Sequence, residues 1–370
     1  MKLRDICFKP QSDSSIMTDQ YNMEGHKLLW HLDRVNSWLK GERIAPVLLD
    51  ISINQTCNAS CRFCYYAVSD NKKANVIPTD ALLRLIQDCA EIGVKAIVFG
   101  GDGEATLHPG IYDVVNAGAE AGLDMSMMTN GISMKEGRLK DFLASMTWIK
   151  FNICAATPQK YALVMGTTER LYHKAYNNIK KCVEIKKKYN LKITIGIQML
   201  LIHDCVDEIV SFARMGKELG VDYTVIKQCS ESDGIKLKLI GNDIEPYLPL
   251  FDEAKSYSDD KYSVIVKTKK MQMFKRNYGQ CFGCEFLATI DGAGNYQNCG
   301  NFYYTKDFHI GNIINDSFKM LVFSDRQKEV LNRVSNELDV HSQCGQKCRQ
   351  NEINEFLWKL KSPPDHINFI

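Results

Sequence analysis

Val47-Leu-Leu-Asp-Ile-Ser-Ile53 runs straight into Asn54-Gln-Thr-Cys57-Asn-Ala-Ser-Cys61-Arg-Phe63-Cys64-Tyr-Tyr66. The first piece is a short apolar run and predicts a buried strand. The second predicts a loop at that strand's C-terminal end. It carries three cysteines at C-x3-C-x2-C spacing. Three thiolates in one short loop suit three corners of an iron–sulfur cube, with the fourth iron left for another ligand. Zinc is the competing reading. Zinc loops usually pair C-x2-C with a second, distant pair and close on four ligands, and the third local cysteine breaks that pattern.

Outward from this loop the chain repeats one unit. A helix from Pro78-Thr79 to Ile92 is stopped by Gly93, and Val94–Phe99 is the second strand. A helix over Tyr112–Ala121, a strand over Met125–Thr129 and a strand over Trp148–Cys154 follow. Then come a helix over Lys174–Tyr189, a strand over Leu191–Leu200, a helix over Asp207–Leu219 and a strand over Asp222–Lys227. Six strands alternating with helices predict a parallel α/β fold, a (β/α)6 partial TIM barrel with an open doubly wound sheet as the alternative. Chemistry is expected at the strands' C-terminal ends, where the cysteine loop and Gly100-Gly101-Asp102-Gly103-Glu104 both fall. Before the first strand, residues 1–20 carry no pattern and read as an arm. His26–Leu39 predicts a packing helix with Leu28, Leu29, Leu32, Val35, Trp38 and Leu39 on one face. The expected division is residues 1–45, arm and packing helix; 46–235, partial barrel; 236–370, a small cysteine-rich domain.

Composition narrows the function. A net charge of +2 gives no general case for nucleic acid or an anionic membrane as partner. No signal peptide or spanning run is visible, so a cytoplasmic protein is expected. Fourteen cysteines in such a chain read as metal ligands or buried thiols. Five of them fall in Cys281-x2-Cys284-x9-Gly294-x4-Cys299 and Cys344-x3-Cys348, and Ile290–Cys299 predicts a hairpin turning at glycine. A structural zinc is the other reading there. His108, His203, His309 and His341 are single histidines, read as surface or core residues. The basic run Lys267–Arg276 is read as a solvated face that could also meet an anionic substrate group.

The cysteine loop resembles the C-x3-C-x-aromatic-C signature of the radical S-adenosylmethionine (radical SAM) enzymes. The resemblance implies a [4Fe-4S] cluster on Cys57, Cys61 and Cys64, with SAM on the open iron and Phe63 against the adenine. Reductive cleavage of SAM then gives a 5′-deoxyadenosyl radical that abstracts hydrogen. Gly100, Gly101, Asp102, Gly103 and Glu104 resemble the family's Gly-Gly-Glu element for the SAM amino group, with Glu104 the preferred match. Asn130, Asn152, Gln198 and Lys227 fall where the family contacts the cofactor, as do Gly196-Ile197 and Gln228. Cys154 stands in the fourth-strand segment. It is read either as an inert thiol or as a hydrogen donor, which would imply epimerisation. The C-terminal cysteines are similar to the SPASM or Twitch extension. The likeness implies one auxiliary [4Fe-4S] cluster on four of Cys281, Cys284, Cys299, Cys344 and Cys348.

The function so implied is a radical SAM oxidoreductase that oxidises or epimerises a small polar substrate, a sugar, aminosugar or nucleotide derivative. A flavodoxin- or ferredoxin-like electron donor is the implied partner. The small substrate is preferred because about 45 residues precede the first strand, few for a leader-peptide domain. A maturase acting on a ribosomal peptide is the alternative, and a non-enzymatic iron–sulfur or zinc scaffold is the alternative of another class.

Overall fold

The computed structural model describes residues 21, 25–64, 66, 74–228, 244–271, 275–345 and 348–369. Strands β1 Leu48–Ile51, β2 Ala96–Phe99, β3 Asp124–Thr129, β4 Trp148–Asn152, β5 Thr194–Leu201, β6 Tyr223–Gln228 and β7 Ser263–Val266 pair in sequence order, all parallel. The six expected strands are present. β7 extends the row beyond them. At the other edge β8, Leu287–Ile290, pairs parallel with β1, and β9 (Asn295–Gln297) and β10 (Gly311–Asn312) follow antiparallel. Among the described residues the result is one ten-stranded, unclosed sheet that carries the cysteine-rich hairpin on the edge of the cysteine-loop strand.

The strands alternate by face, as a pleated strand must. Ile149, Phe151, Ile197 and Met199 are fully buried in the hydrophobic core. Lys150, Asn152, Gln198 and Leu200 point the other way and line a cavity. Helices Thr79–Glu91, Ile111–Glu120, Glu169–Tyr189 and Ile209–Leu219 each bury an apolar stripe. Between β1 and β6, two α-helices were not expected from the pattern. Leu139–Ala144 is short, and Pro158–Met165 lies before the long helix, which starts at Glu169 and not Lys174. The signals for the second were local: Thr157 caps it, Pro158 opens it and Gly166, at φ +57°, closes it.

The expected helix over residues 26–39 is two pieces. A 3-10 turn spans Gly25–Trp30 and an α-helix spans Leu32–Leu39, with His31 non-helical between them. The break rotates the apolar stripe. Leu28, Val35 and Trp38 are buried, whereas Leu29, Leu32 and Leu39 are exposed. Trp38 lies edge-on to Phe282 and Phe286 and donates its Nε1–H to Glu285 at 2.8 Å. With Ile44 and Leu357 it forms a second small core, which joins the chain's start to its last helix, Asn351–Lys361. Residues 1–20 and the expected division near residue 235 lie outside the described residues.

Candidate active site

Cys57, Cys61, Cys64 and Phe63 line one cavity of about 490 Å³ at the C-terminal ends of the strands. This falls within the range of small-molecule sites. Their loop is held from three directions, two of them through its backbone. Ser60 N and Arg62 N donate to Met165 O and Val164 O, at 3.1 and 3.0 Å, the last carbonyls of the helix Pro158–Met165. A side chain at Gly166 would strike Ser60 O at 2.1 Å, so glycine is required there. Glu104 N donates to Thr56 O at 2.8 Å. Asn130 Nδ2 donates to Asn58 Oδ1 at 2.6 Å and reaches Cys57 Sγ at 3.8 Å. Although Cys57 is exposed at the surface, partial desolvation in the loop pushes its thiol up to about 11, with Glu104 and Cys64 adding to the rise, and burial pushes Cys61 well above the thiol range, with neighbouring thiols adding. A bound cation is the kind of charge that would draw these protons off.

Glu104 is buried and its carboxylate is heavily engaged. Oε1 accepts from Thr106 N (3.0 Å), Thr106 Oγ1 (2.6 Å) and Thr129 Oγ1 (2.6 Å), and Oε2 accepts from Asn130 N (2.8 Å). A carboxylate has about four acceptor positions over two oxygens, so Oε2 keeps room for one more donor on the cavity side. Gly100 and Gly101 line the cavity with Glu104. Asp102 and Gly103, grouped with them from sequence, are not in the lining. Gly103 lies against Asn54, where a Cβ would fall 2.1 Å from Oδ1. Asp102 turns to the hairpin. Its carboxylate accepts from Gln55 Nε2 (2.9 Å), Tyr304 Oη (2.8 Å) and Gly292 N (3.2 Å).

Asn152, Gln198 and Lys227 line the cavity from β4, β5 and β6. Gln198 Nε2 donates to Asn152 Oδ1 at 2.8 Å. Gln198 Oε1 is buried with no partner among the described residues. An orphaned acceptor at this depth is costly unless a ligand donates to it. Gln228 is also in the lining; Gly196 and Ile197 are not. Gly196 instead lets the Tyr223 ring pack on β5, since a Cβ would lie 2.4 Å from it. Cys154 is fully buried and outside the lining, with a left-handed backbone at φ +52°. Its Sγ takes the Leu200 N–H at 3.4 Å and faces Gln198 O at 3.7 Å. The thiol is thus engaged with β5 and lies outside the cavity lining.

Cys299, just past β9, and Cys348 line the same cavity. Cys281 and Cys284 are buried and outside the lining, and Cys344 and Cys348 are partly exposed. Cys281 Sγ accepts from Asn354 Nδ2 at 3.4 Å, while Asn354 Oδ1 takes the N–H groups of Phe282 and Gly283, both at 2.7 Å. Arg276 turns inward from the basic run and donates to Val340 O, Cys344 O and Gly345 O. Cys348 is drawn down to about 6, first by donation from Cys344, then by Gln350 N–H and the Arg276 and Arg349 guanidiniums. The same pairing pushes Cys344 far up. Among the described residues, no three His, Cys, Asp or Glu side chains are arranged to hold a single metal ion. His108 is a core residue, held by Ile77 O at 2.8 Å and Gly110 N at 3.1 Å.

Several lining residues were not singled out from sequence: Asp50, Lys150, Arg349 and Gln350. Arg349 forms an ion pair with Asp50, tying the tail beyond Cys348 to β1. Charged residues inside apolar strands, Asp50 in Leu-Leu-Asp-Ile and Lys150 in Trp-Ile-Lys-Phe, were the available signal. Lys267, noted only within a basic run, also lines the cavity. Two sets of thiols, a free carboxylate lone pair and an orphaned amide oxygen fit a thiolate-bound cluster with a polar organic cofactor.

The Radical SAM superfamily pattern matches residues 51–215. Over 181 residues the chain is 24% identical to the tungsten-containing aldehyde ferredoxin oxidoreductase cofactor-modifying protein of Pyrococcus furiosus, covering 48% of this chain and 50% of that one. The chain therefore spans half the length of that relative. It is 25% identical over 267 residues to a probable GTP 3′,8-cyclase of Methanocaldococcus jannaschii, covering 71% and 83% of the two chains. Among solved structures, Streptococcus suis SuiB bound to S-adenosylmethionine superposes with a TM-score of 0.63 at 16% identity, over 86% of this chain and 73% of that one. That likeness is one of fold.

Proposed function

Because the chain belongs to the radical SAM superfamily, we propose that it removes a hydrogen atom from a small polar, anionic molecule and oxidises it. The observation that carries this reading is one cavity lined by Cys57, Cys61 and Cys64, by Cys299 and Cys348, and by Lys150, Lys227 and Lys267. A [4Fe-4S] cluster and SAM bound at the first three thiols supply a 5′-deoxyadenosyl radical after one-electron reduction. The chain's own residues bind and aim. Cys57, Cys61 and Cys64 hold the cluster, and Phe63 packs on the adenine. Oε2 of Glu104 receives the cofactor's ammonium, with Gly100 and Gly101 giving close approach. Gln198 Oε1, with Asn152 beside it, accepts from the ribose. Lys150, Lys227 and Lys267 meet carboxylate or phosphate groups.

Four of the far-wall cysteines, Cys281, Cys284, Cys299, Cys344 and Cys348, would hold one auxiliary [4Fe-4S] cluster, which would supply an electron acceptor for oxidation of the substrate. Epimerisation loses its candidate donor, since Cys154 lies outside the cavity lining. A nucleotide or sugar-nucleotide derivative is the preferred substrate class, supported by the GTP 3′,8-cyclase relative and by the cationic lining. A flavodoxin- or ferredoxin-like protein supplies the first electron. The test is anaerobic reconstitution with SAM and dithionite, then a panel of sugar nucleotides and nucleoside phosphates. The expected result is slow 5′-deoxyadenosine release alone and faster release with one anionic compound. No 5′-deoxyadenosine under any condition would overturn the proposal.

A further inference from the structure

Gln297 sits on β9, two residues before Cys299. It is fully buried, and neither Oε1 nor Nε2 has a hydrogen-bond partner among the described residues. Both ends of a side-chain amide left bare in a protein interior demand an explanation, because folding strips their water and returns nothing. The direction of the amide follows from register. Gln297 pairs with Thr289 across the antiparallel hairpin, and Thr289 pairs with Asp50 across the parallel β1–β8 seam. Directly paired residues project to the same face of a sheet. Asp50 and Thr289 both line the cavity, as does Cys299, two residues along the chain from Gln297. By its register the amide therefore belongs to the inner row of the sheet, beneath the cavity surface and close in chain to Cys299. Tyr296 and Asn298 flank it on the opposite face, where Asn298 Nδ2 holds Cys284 O at 2.8 Å.

We infer that Gln297 is the hydrogen-bond donor to the inorganic sulfur of the group held by the far-wall cysteines, and that it sets that group's reduction potential. The inference rests on the auxiliary-cluster part of the proposed function. An N–H aimed at a cluster sulfur favours the reduced, more negative form and so raises the potential. Cys281 and Cys284 already receive or share hydrogen bonds from Asn354 and Ser335. Those contacts go to thiol sulfurs, whereas Gln297 is unengaged and lies on the cavity side. Gln297 is a positioning and tuning residue, since it touches no substrate.

The experiment uses the full chain, reconstituted anaerobically, as wild type, Gln297→Leu and Gln297→Asn. Iron and sulfide are counted first, and an EPR-monitored redox titration follows. Gln297→Leu is expected to keep the wild-type iron count and basal 5′-deoxyadenosine release. The auxiliary signal should titrate at a clearly lower potential, while the Cys57/Cys61/Cys64 signal stays in place. Gln297→Asn, which retains an amide on a shorter arm, should shift the auxiliary potential the same way by less, and it carries the test if the leucine variant fails to fold. An unchanged auxiliary potential and unchanged g-values in both variants would overturn the inference and assign the amide to a buried water. A wild-type count near four irons per chain, before any variant is made, would instead remove the auxiliary cluster itself, and the inference with it.

Discussion

The two cysteine sites are built in opposite ways. The first gathers its thiols within residues 57–64, on a loop whose backbone is pinned by the helix Pro158–Met165 and by Glu104, and it leaves Cys57 exposed. The second gathers thiols from residues 281 to 348, buries Cys281, Cys284 and Cys299, and surrounds them with side-chain amides from Asn354 and Gln350. An open, backbone-held loop suits a site that must admit a cofactor and release its products. A buried site held by long-range side chains suits one that passes electrons and stays closed. The difference teaches that local spacing identifies the first kind of site, whereas the second is assembled by tertiary structure.

The sharpest break between them comes from single cysteine removals. Cys57→Ala should abolish 5′-deoxyadenosine release and lose about half the iron, with little change in thermal stability, because the residue is exposed. Cys284→Ala should lose the other half, keep basal 5′-deoxyadenosine release, and lower Tm, because the side chain sits in a closed core. Iron assays, product analysis and calorimetry read all three quantities. Equal loss of both irons in either variant would erase the distinction.

Glu104 is the next lever, since it joins the first site to β3. Glu104→Ala strands the N–H groups of Thr106 and Asn130, and should cost on the order of 3 kcal/mol in denaturant unfolding. It should also weaken SAM binding more than tenfold by equilibrium titration. A variant that bound SAM as wild type would move the ammonium contact elsewhere.

Within the second site, Cys344 and Cys348 are predicted to differ. Both are partly exposed, but Cys348 lines the cavity and is held low by its neighbours, while Cys344 is outside the lining and pushed up. Cys348→Ser should lose the auxiliary iron, and Cys344→Ser should keep most of it. The opposite ranking would make Cys344 the ligand.

The smallest effect concerns the seam between the N-terminal helix and the second site. Burial raises the Glu285 carboxyl, against the Trp38 hydrogen bond that lowers it. A raised folded pKa means the fold holds the proton more tightly than the open chain does. Glu285 therefore costs stability progressively as pH climbs from the ordinary glutamate range, near 4, through its folded value. Glu285→Gln keeps an acceptor for Trp38 and should raise Tm at pH 7.5 but not at pH 4. A gain at both values would point to packing.

Much of the barrel was legible because parallel strands buried on both faces leave near-continuous apolar runs, punctuated by glycine. Cys57, Cys61, Cys64 and Glu104 were legible as cavity residues because the spacing that singles them out is contained within a few residues of chain. The rest was not, for identifiable reasons. β7 and β8 are short apolar pieces, and only their partners on β6 and β1 reveal that they extend the same sheet. Beyond the break at His31, Trp38 packs on Phe282 and Phe286, far along the chain, and no local pattern names those partners. Asp102 looked like a cofactor contact because it shares a motif with Glu104, yet one residue's change of direction aims it at Gly292 and Tyr304. Cys154 looked available because strand ends carry chemistry, but its left-handed backbone folds the thiol back onto β5.

The central claim is that one cavity joins an open cluster site to a closed one. Its most direct test is EPR of the dithionite-reduced, reconstituted full chain, with about eight irons, recorded with and without SAM. The account predicts two signals, of which one shifts on adding SAM and is lost in Cys57→Ala, while the other is unmoved. A single signal, or two that both ignore SAM, would contradict it.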